Sequence, residues 1–203
     1  SSGEKAFDVL REIVESRGNQ EAIDLVEPGF YLYESFPRKT QQEFHSWMAD
    51  LLKQWNANNK EQLFVFSEEY EVPILEFEEA VNAILSQIPN PVDNEDFIKN
   101  RVVPAIPEEF DQKLHEKVKT LIKNNNNNYS QLGIDIFTEY DDRFEPVWGE
   151  VIEICGNQAT RENNINQKRR YLEAGSEIFS ELDGPDQEGY LGQIDNLLGG
   201  NQN

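Results

Sequence analysis

Between Phe44 and Trp55 the chain places six large apolar side chains, Phe44, Trp47, Met48, Leu51, Leu52 and Trp55, three or four residues apart. That repeat gathers all of them on one face of a helix, whereas the alternation of a strand would divide them between two faces. No other stretch constrains the fold as strongly. The chain must contain at least one strongly amphipathic helix, and something apolar must cover it. Thr40 followed by Glu43 reads as a capping box at the start of this helix.

The same period recurs elsewhere. Lys5 to Arg17 carries Phe7, Leu10, Ile13 and Val14 and closes at Gly18. A further helix is expected from near Pro73 through Phe77, Val81, Ile84 and Leu85 to Pro89. Pro107 sits at the favoured first-turn position of another, with Phe110, Leu114, Val118, Leu121 and Ile122 as its buried stripe. Asn124 to Asn128 interrupts the pattern and reads as a mobile loop. Ser130 to Tyr140 and Pro146 to Cys155 follow as helices, then a long polar one from Thr160 to Leu182 with few anchors (Ile165, Leu172, Ile178, Phe179).

Two segments, "GFYLYESFP" and "QLFVFSEEYEVP", alternate bulky residues and form at most one minor β-hairpin. The expected fold is therefore mainly α, an irregular bundle of about six to eight helices. A length of 203 residues suits a single helical domain, 1–203. The alternative partition is two lobes, 1–90 and 105–203, joined by a connector over 89–107 that holds Pro89, Pro91, Pro104 and Pro107. The opening Ser1-Ser2-Gly3 reads as an expression remnant, which leaves open whether a targeting peptide was removed ahead of it.

Charge sets the class of partner. Against 18 Lys and Arg stand 39 Asp and Glu, a net charge of −21. Such a surface repels phosphate backbones and anionic lipid, and attracts a basic protein partner. Direct nucleic-acid binding is disfavoured. Membrane insertion is too, since no apolar run approaches the roughly 20 residues that a spanning helix needs. The single cysteine, Cys155, permits no internal disulfide and no multi-thiol zinc site, which fits a reducing, cytoplasmic setting.

Candidate chemistry is sparse. "LDGPDQEGYLGQIDNLL" resembles a calcium loop around Gly189, with Asp186, Glu188 and Asp195 falling at ligand positions. The first ligand position, however, lands on Gly184, which has no side-chain oxygen, so a turn followed by a short helix is expected instead. His45 and His115 lie on different helices and read as surface residues. Cys155 is expected to pack as a small apolar residue, its thiol pKa raised by Glu150 and Glu153. There is no phosphate-binding glycine loop, nucleophile elbow or zinc-protease helix motif, so no catalytic residue, metal site or cofactor is assigned.

The sharpest candidate is the run from Glu68 to Glu79, with six glutamates among twelve residues, interleaved with Tyr70, Ile74, Leu75 and Phe77. Carboxylates there would steer a basic protein while apolar groups anchor it. Glu68, Glu69, Tyr70, Glu71, Glu76, Glu78 and Glu79 are the expected partner-binding residues. The one basic cluster, Lys168, Arg169 and Arg170, is expected to pair with the chain's own carboxylates or an acidic partner. The function this implies is a non-catalytic protein–protein interaction protein: an adaptor, assembly factor or regulatory subunit. The alternatives are a carboxylate- or metal-dependent enzyme and an acidic mimic of nucleic acid.

Overall fold

A computed structural model describes residues 1–18, 22–88 and 94–199. Contacts divide the chain into two compact units, Ser1–Phe110 and Asp111–Asn203. The described residues form eleven helices and no strand.

In the first unit α1 (Ser2–Arg17), α2 (Ile23–Leu32), α3 (Arg38–Gln54), α4 (Ala57–Tyr70) and α5 (Glu78–Gln87) are followed by α6. The last of these runs without a break through Glu95–Phe97, a π turn Ile98–Val102 and Val103–Ala105. The stripe on α3 is the core: Phe44, Trp47, Met48, Leu51 and Leu52, with Trp55 just beyond the helix, are all buried. Phe44 is the hub, with ring centroids 5.1 Å from Phe30, 5.4 Å from Tyr33 and 6.5 Å from Phe7, all edge-to-face. Gly29 lets α2 come this close, since a Cβ there would sit 3.0 Å from Leu10 and 3.1 Å from Phe44.

Several local expectations are corrected in this unit. Pro37, not Thr40, precedes α3, and Thr40 lies buried inside the helix, so no capping box forms. Both strand candidates are helical. Val26, Gly29 and Phe30 face inward from α2, which a 3₁₀ turn, Tyr33–Ser35, then extends. Asn56 caps α4 by accepting the Asn59 N–H at 3.0 Å, and Asn59, Lys60, Leu63 and Phe64 form its buried face. Alternation over a handful of aromatics does not separate a period of 2 from one of 3.6. On α1 Phe7 and Val14 are buried, but Ile13 is exposed. At its start Ser1 Oγ accepts the Glu4 N–H, and Gly3 lies against the Ser35 carbonyl.

Pro89 and Pro91 lie outside the described residues. From Glu95 to Ala105 the expected connector is structured as α6 and packs inside the first unit, with Phe97 edge-to-face on Phe64, with Ile98, Val102 and Val103 buried, and with Ile106 just beyond it also buried. Its π turn falls just ahead of Pro104, whose missing N–H and ring bulk disrupt regular i→i−4 bonding.

The second unit holds α7 (Asp111–Ile122), α8 (Asn127–Glu139), α9 (Trp148–Arg161), α10 (Ile165–Ile178) and α11 (Gly184–Gly199). The asparagine tract is a built turn. Asn124 Oδ1 accepts from Asn126 N–H and Asn126 Oδ1 from Asn128 N–H, which ends one helix and caps the next. Gly133 brings α8 onto α7, since a Cβ there would lie 2.9 Å from Ile122. The long polar helix is shorter than expected, because Asn164 caps a fresh start after Arg161 by accepting from Asn166 and Gln167. Its buried face is Gln167, Tyr171, Ala174, Gly175 and Ile178, while Ile165 is exposed. Against α9 and α10 lies α11, with Asp186 over Gly149, Gln193 over Gly156 and the Tyr190 ring over Gly175.

Candidate functional site

The turn between α4 and α5 sorts the acidic segment by polarity. At the end of α4 Glu71 adopts a left-handed conformation, φ 55° and ψ 37°, and its N–H bonds back to the Ser67 carbonyl. Ser67 Oγ in turn donates to the Val72 carbonyl at 2.6 Å. This reversal drives Val72, Ile74 and Leu75 into the core and leaves Glu68, Glu69, Glu71, Glu76, Glu78 and Glu79 facing solvent. Phe77 is the exception among the apolar residues. It stands 44% exposed in the middle of the carboxylates.

Local partners hold this face in shape. Arg101 donates to Glu68 at 3.0 Å and lies 3.9 Å from Glu61. Tyr70 donates its hydroxyl to Glu27 at 2.7 Å, a bond that, with burial, pushes its pKa up to about 12. Beside it Tyr31, 74% exposed, packs edge-to-face against the Tyr70 ring at 6.3 Å. Sequence reasoning missed Tyr31 because it was read as part of a strand. Its neighbours on α2 carry the only available signal, a large aromatic on the polar side of a helix.

The second omission is His45. Expected at the surface, it is only 4% exposed. Its Nε2 lies 2.6 Å from Tyr33 Oη and 3.7 Å from Glu76 Oε2, and the Phe77 ring covers it edge-to-face at 4.8 Å. Its Nδ1 is buried without a hydrogen-bond partner. Burial lowers the imidazole pKa, against an opposing pull from Glu76. Burial likewise raises Tyr33, which therefore stays a phenol. Next to the ring is a cavity of about 240 Å³ lined by Gln42, His45, Ser46, Phe77 and Glu79, where Ser46 donates to Glu79 at 3.3 Å.

The remaining sequence candidates resolve into structural roles. His115 is buried too, and its Nε2 donates to the Arg143 carbonyl, while Arg143 pairs with Asp111. Cys155 is buried, and desolvation alone, without the help expected from Glu150 and Glu153, raises its thiol to about 12. Glu150 instead accepts from Lys119 at 3.0 Å. In the loop around Gly189, Asp183 accepts the Asp186 N–H and opens α11, so Gly189 lies within a helix. Among the described residues no group of three or more His, Cys, Asp or Glu gathers as metal ligands would. In the basic cluster Arg169 pairs with Glu173 at 2.8 Å and Arg170 donates to Gln131. Lys168 and Arg169 border a groove of about 480 Å³ whose walls include Ile165, Leu172, Ile194 and Leu197. The hydroxyl of Tyr190 at that groove already donates to the Leu172 carbonyl.

No helix among the described residues is long and apolar enough to cross a membrane. Compared with known proteins, the chain matches no family model, no curated protein and no solved structure.

Proposed function

We propose that this chain is a non-catalytic interaction protein, an adaptor, assembly factor or regulatory subunit, that presents the face around Glu68–Glu79 to a basic protein. One observation carries the reading: the last turn of α4 and the reversal after it bury Val72, Ile74 and Leu75, hold six carboxylates outward and leave Phe77 exposed among them. Exposed carboxylates beside an exposed aromatic suit docking, since the charges steer encounter and the ring supplies apolar contact once the surfaces meet. Tyr31 and Tyr70 extend the aromatic surface toward α2. The chain's net charge of −21 adds long-range attraction for a cationic partner.

The test begins with immobilised full-length chain and native lysate at low and high salt. The captured protein is identified and purified, and its association rate is compared with that of the triple variant Glu68→Lys, Glu69→Lys, Glu71→Lys. These side chains are exposed, and Arg101 loses only its surface pairing with Glu68 while Glu61 stays 3.9 Å away, so the fold should survive. Charge reversal on a steering face should slow association roughly ten-fold or more and flatten its salt dependence. Unchanged association kinetics would remove the segment from the interface.

A further inference from the structure

We propose that the cavity between α3 and the turn leading into α5 receives one guanidinium group, the side chain of an arginine on the basic partner. This anchor presupposes the acidic docking face and names the group that seats at its centre. The volume, about 240 Å³, falls below the roughly 300–1,000 Å³ of pockets that hold cofactors and drug-sized ligands, and suits a single side chain.

The chemistry of the lining suits a guanidinium. That group carries five N–H donors, no acceptor and a flat face. Lining the cavity are Glu79, Gln42 and Phe77, with Glu76 beside the imidazole. The Ser46 hydroxyl is already turned toward Glu79. An aromatic ring backed by carboxylates is a favourable seat for a planar cation.

His45 supplies the independent sign. With the ring proton on Nε2, the nitrogen that Glu76 approaches to 3.7 Å, Nε2–H donates to Tyr33 Oη at 2.6 Å. The lone pair is then on Nδ1, buried and without a donor. A buried acceptor left unmatched is costly, and an arriving N–H satisfies it. Reaching it takes a rotation of the half-exposed Phe77 side chain, which covers the imidazole at 4.8 Å. A lysine ammonium would match the charge but not the stacking. Citrulline keeps the shape and loses the charge.

The probes are N-acetyl-arginine amide, N-acetyl-lysine amide and N-acetyl-citrulline amide. Each is titrated at constant ionic strength into full-length chain with ¹⁵N-labelled histidines, and the imidazole nitrogens are followed by NMR. With only two histidines, His115→Gln assigns the spectrum. Arginine amide should shift His45 Nδ1 saturably, lysine amide should bind about three-fold more weakly, and citrulline amide should leave His45 in place. Glu79→Gln, a change at an exposed side chain, should weaken the arginine response about five-fold. A His45 signal that ignores arginine amide, or answers citrulline amide equally, overturns the pocket. If the triple reversal slows partner association while arginine amide leaves His45 unmoved, the docking face stands and the pocket falls. A saturable arginine response together with unchanged association of the triple variant overturns the partner's arginine as occupant, because the docking face that would deliver it has fallen.

Discussion

Truncating Phe44 should destabilise the first unit more than truncating Trp47, although tryptophan is the larger side chain. Both are buried on the same stripe of α3. Phe44 has no polar atom and stands among the rings of Phe7, Phe30, Tyr33, Phe36 and Trp47. Phe44→Ala leaves a cavity whose walls are wedged against one another and collapse poorly, so the loss should reach the upper end of the usual range, about 4–5 kcal/mol. Trp47 would lose a comparable amount on volume alone. Its indole N–H, however, is buried with no partner, and an unmatched buried donor costs about 1–3 kcal/mol. Trp47→Ala removes that cost along with the ring, so the net loss should be about 2–3 kcal/mol. Trp47→Phe keeps most of the volume without the donor and should cost less than about 1.5 kcal/mol.

Because the chain has two compact units, a global melting curve mixes their transitions. Hydrogen exchange of peptides from α1, α2 and α3, followed by mass spectrometry, reads the first unit directly. Exchange there should accelerate most in Phe44→Ala, less in Trp47→Ala and least in Trp47→Phe. A larger effect for Trp47→Ala than for Phe44→Ala would refute the assignment of an unsatisfied indole. Wild-type exchange in both alanine variants would show that the stripe is not the core.

Three further outcomes follow from single features. Glu71→Gly relieves a non-glycine residue at φ 55° and should stabilise the first unit by up to about 1 kcal/mol, read as a higher urea midpoint. Gly175→Ala drives a Cβ to within 2.4 Å of the buried Tyr190 ring, an overpacking worth about 1–3 kcal/mol, and should speed exchange across α11 while α7 and α8 keep their protection. His45 has a folded pKa below its ordinary value of 6.5, so the unfolded chain takes up its proton first. Its contribution is complete above pH 6.5 and is lost as pH falls toward the folded value, and His45→Phe should flatten that part of the stability profile.

The fold class was legible in the sequence wherever one periodicity ran long enough. The α3 stripe, the lower half of α5 and the buried face of α7 lie where spacings of three and four residues place them. Local chemistry was legible as well: Gly18 ends α1, and the turn ahead of Gly189 opens a helix instead of closing a metal loop. Among the described residues eleven helices replace the expected six to eight, because α2, α4 and α6 were hidden in two short alternating runs and a proline-rich stretch. A few residues of aromatic alternation satisfy either period, and Pro104 is accommodated by a π turn that no local pattern announces.

Burial of the polar residues was decided by tertiary structure alone. Helical position puts His45 at the edge of the α3 stripe, yet Tyr33 from the preceding 3₁₀ turn and Phe77 from the far side of α4 enclose it. The composition of Glu68–Glu79 announces charge mixed with apolar bulk, but whether Ile74, Leu75 or Phe77 stays outside depends on the left-handed turn at Glu71 and on what α3 leaves uncovered. A sequence carries the periodicity of each element. It does not carry which elements meet, and desolvation and hydrogen-bond satisfaction are properties of that meeting.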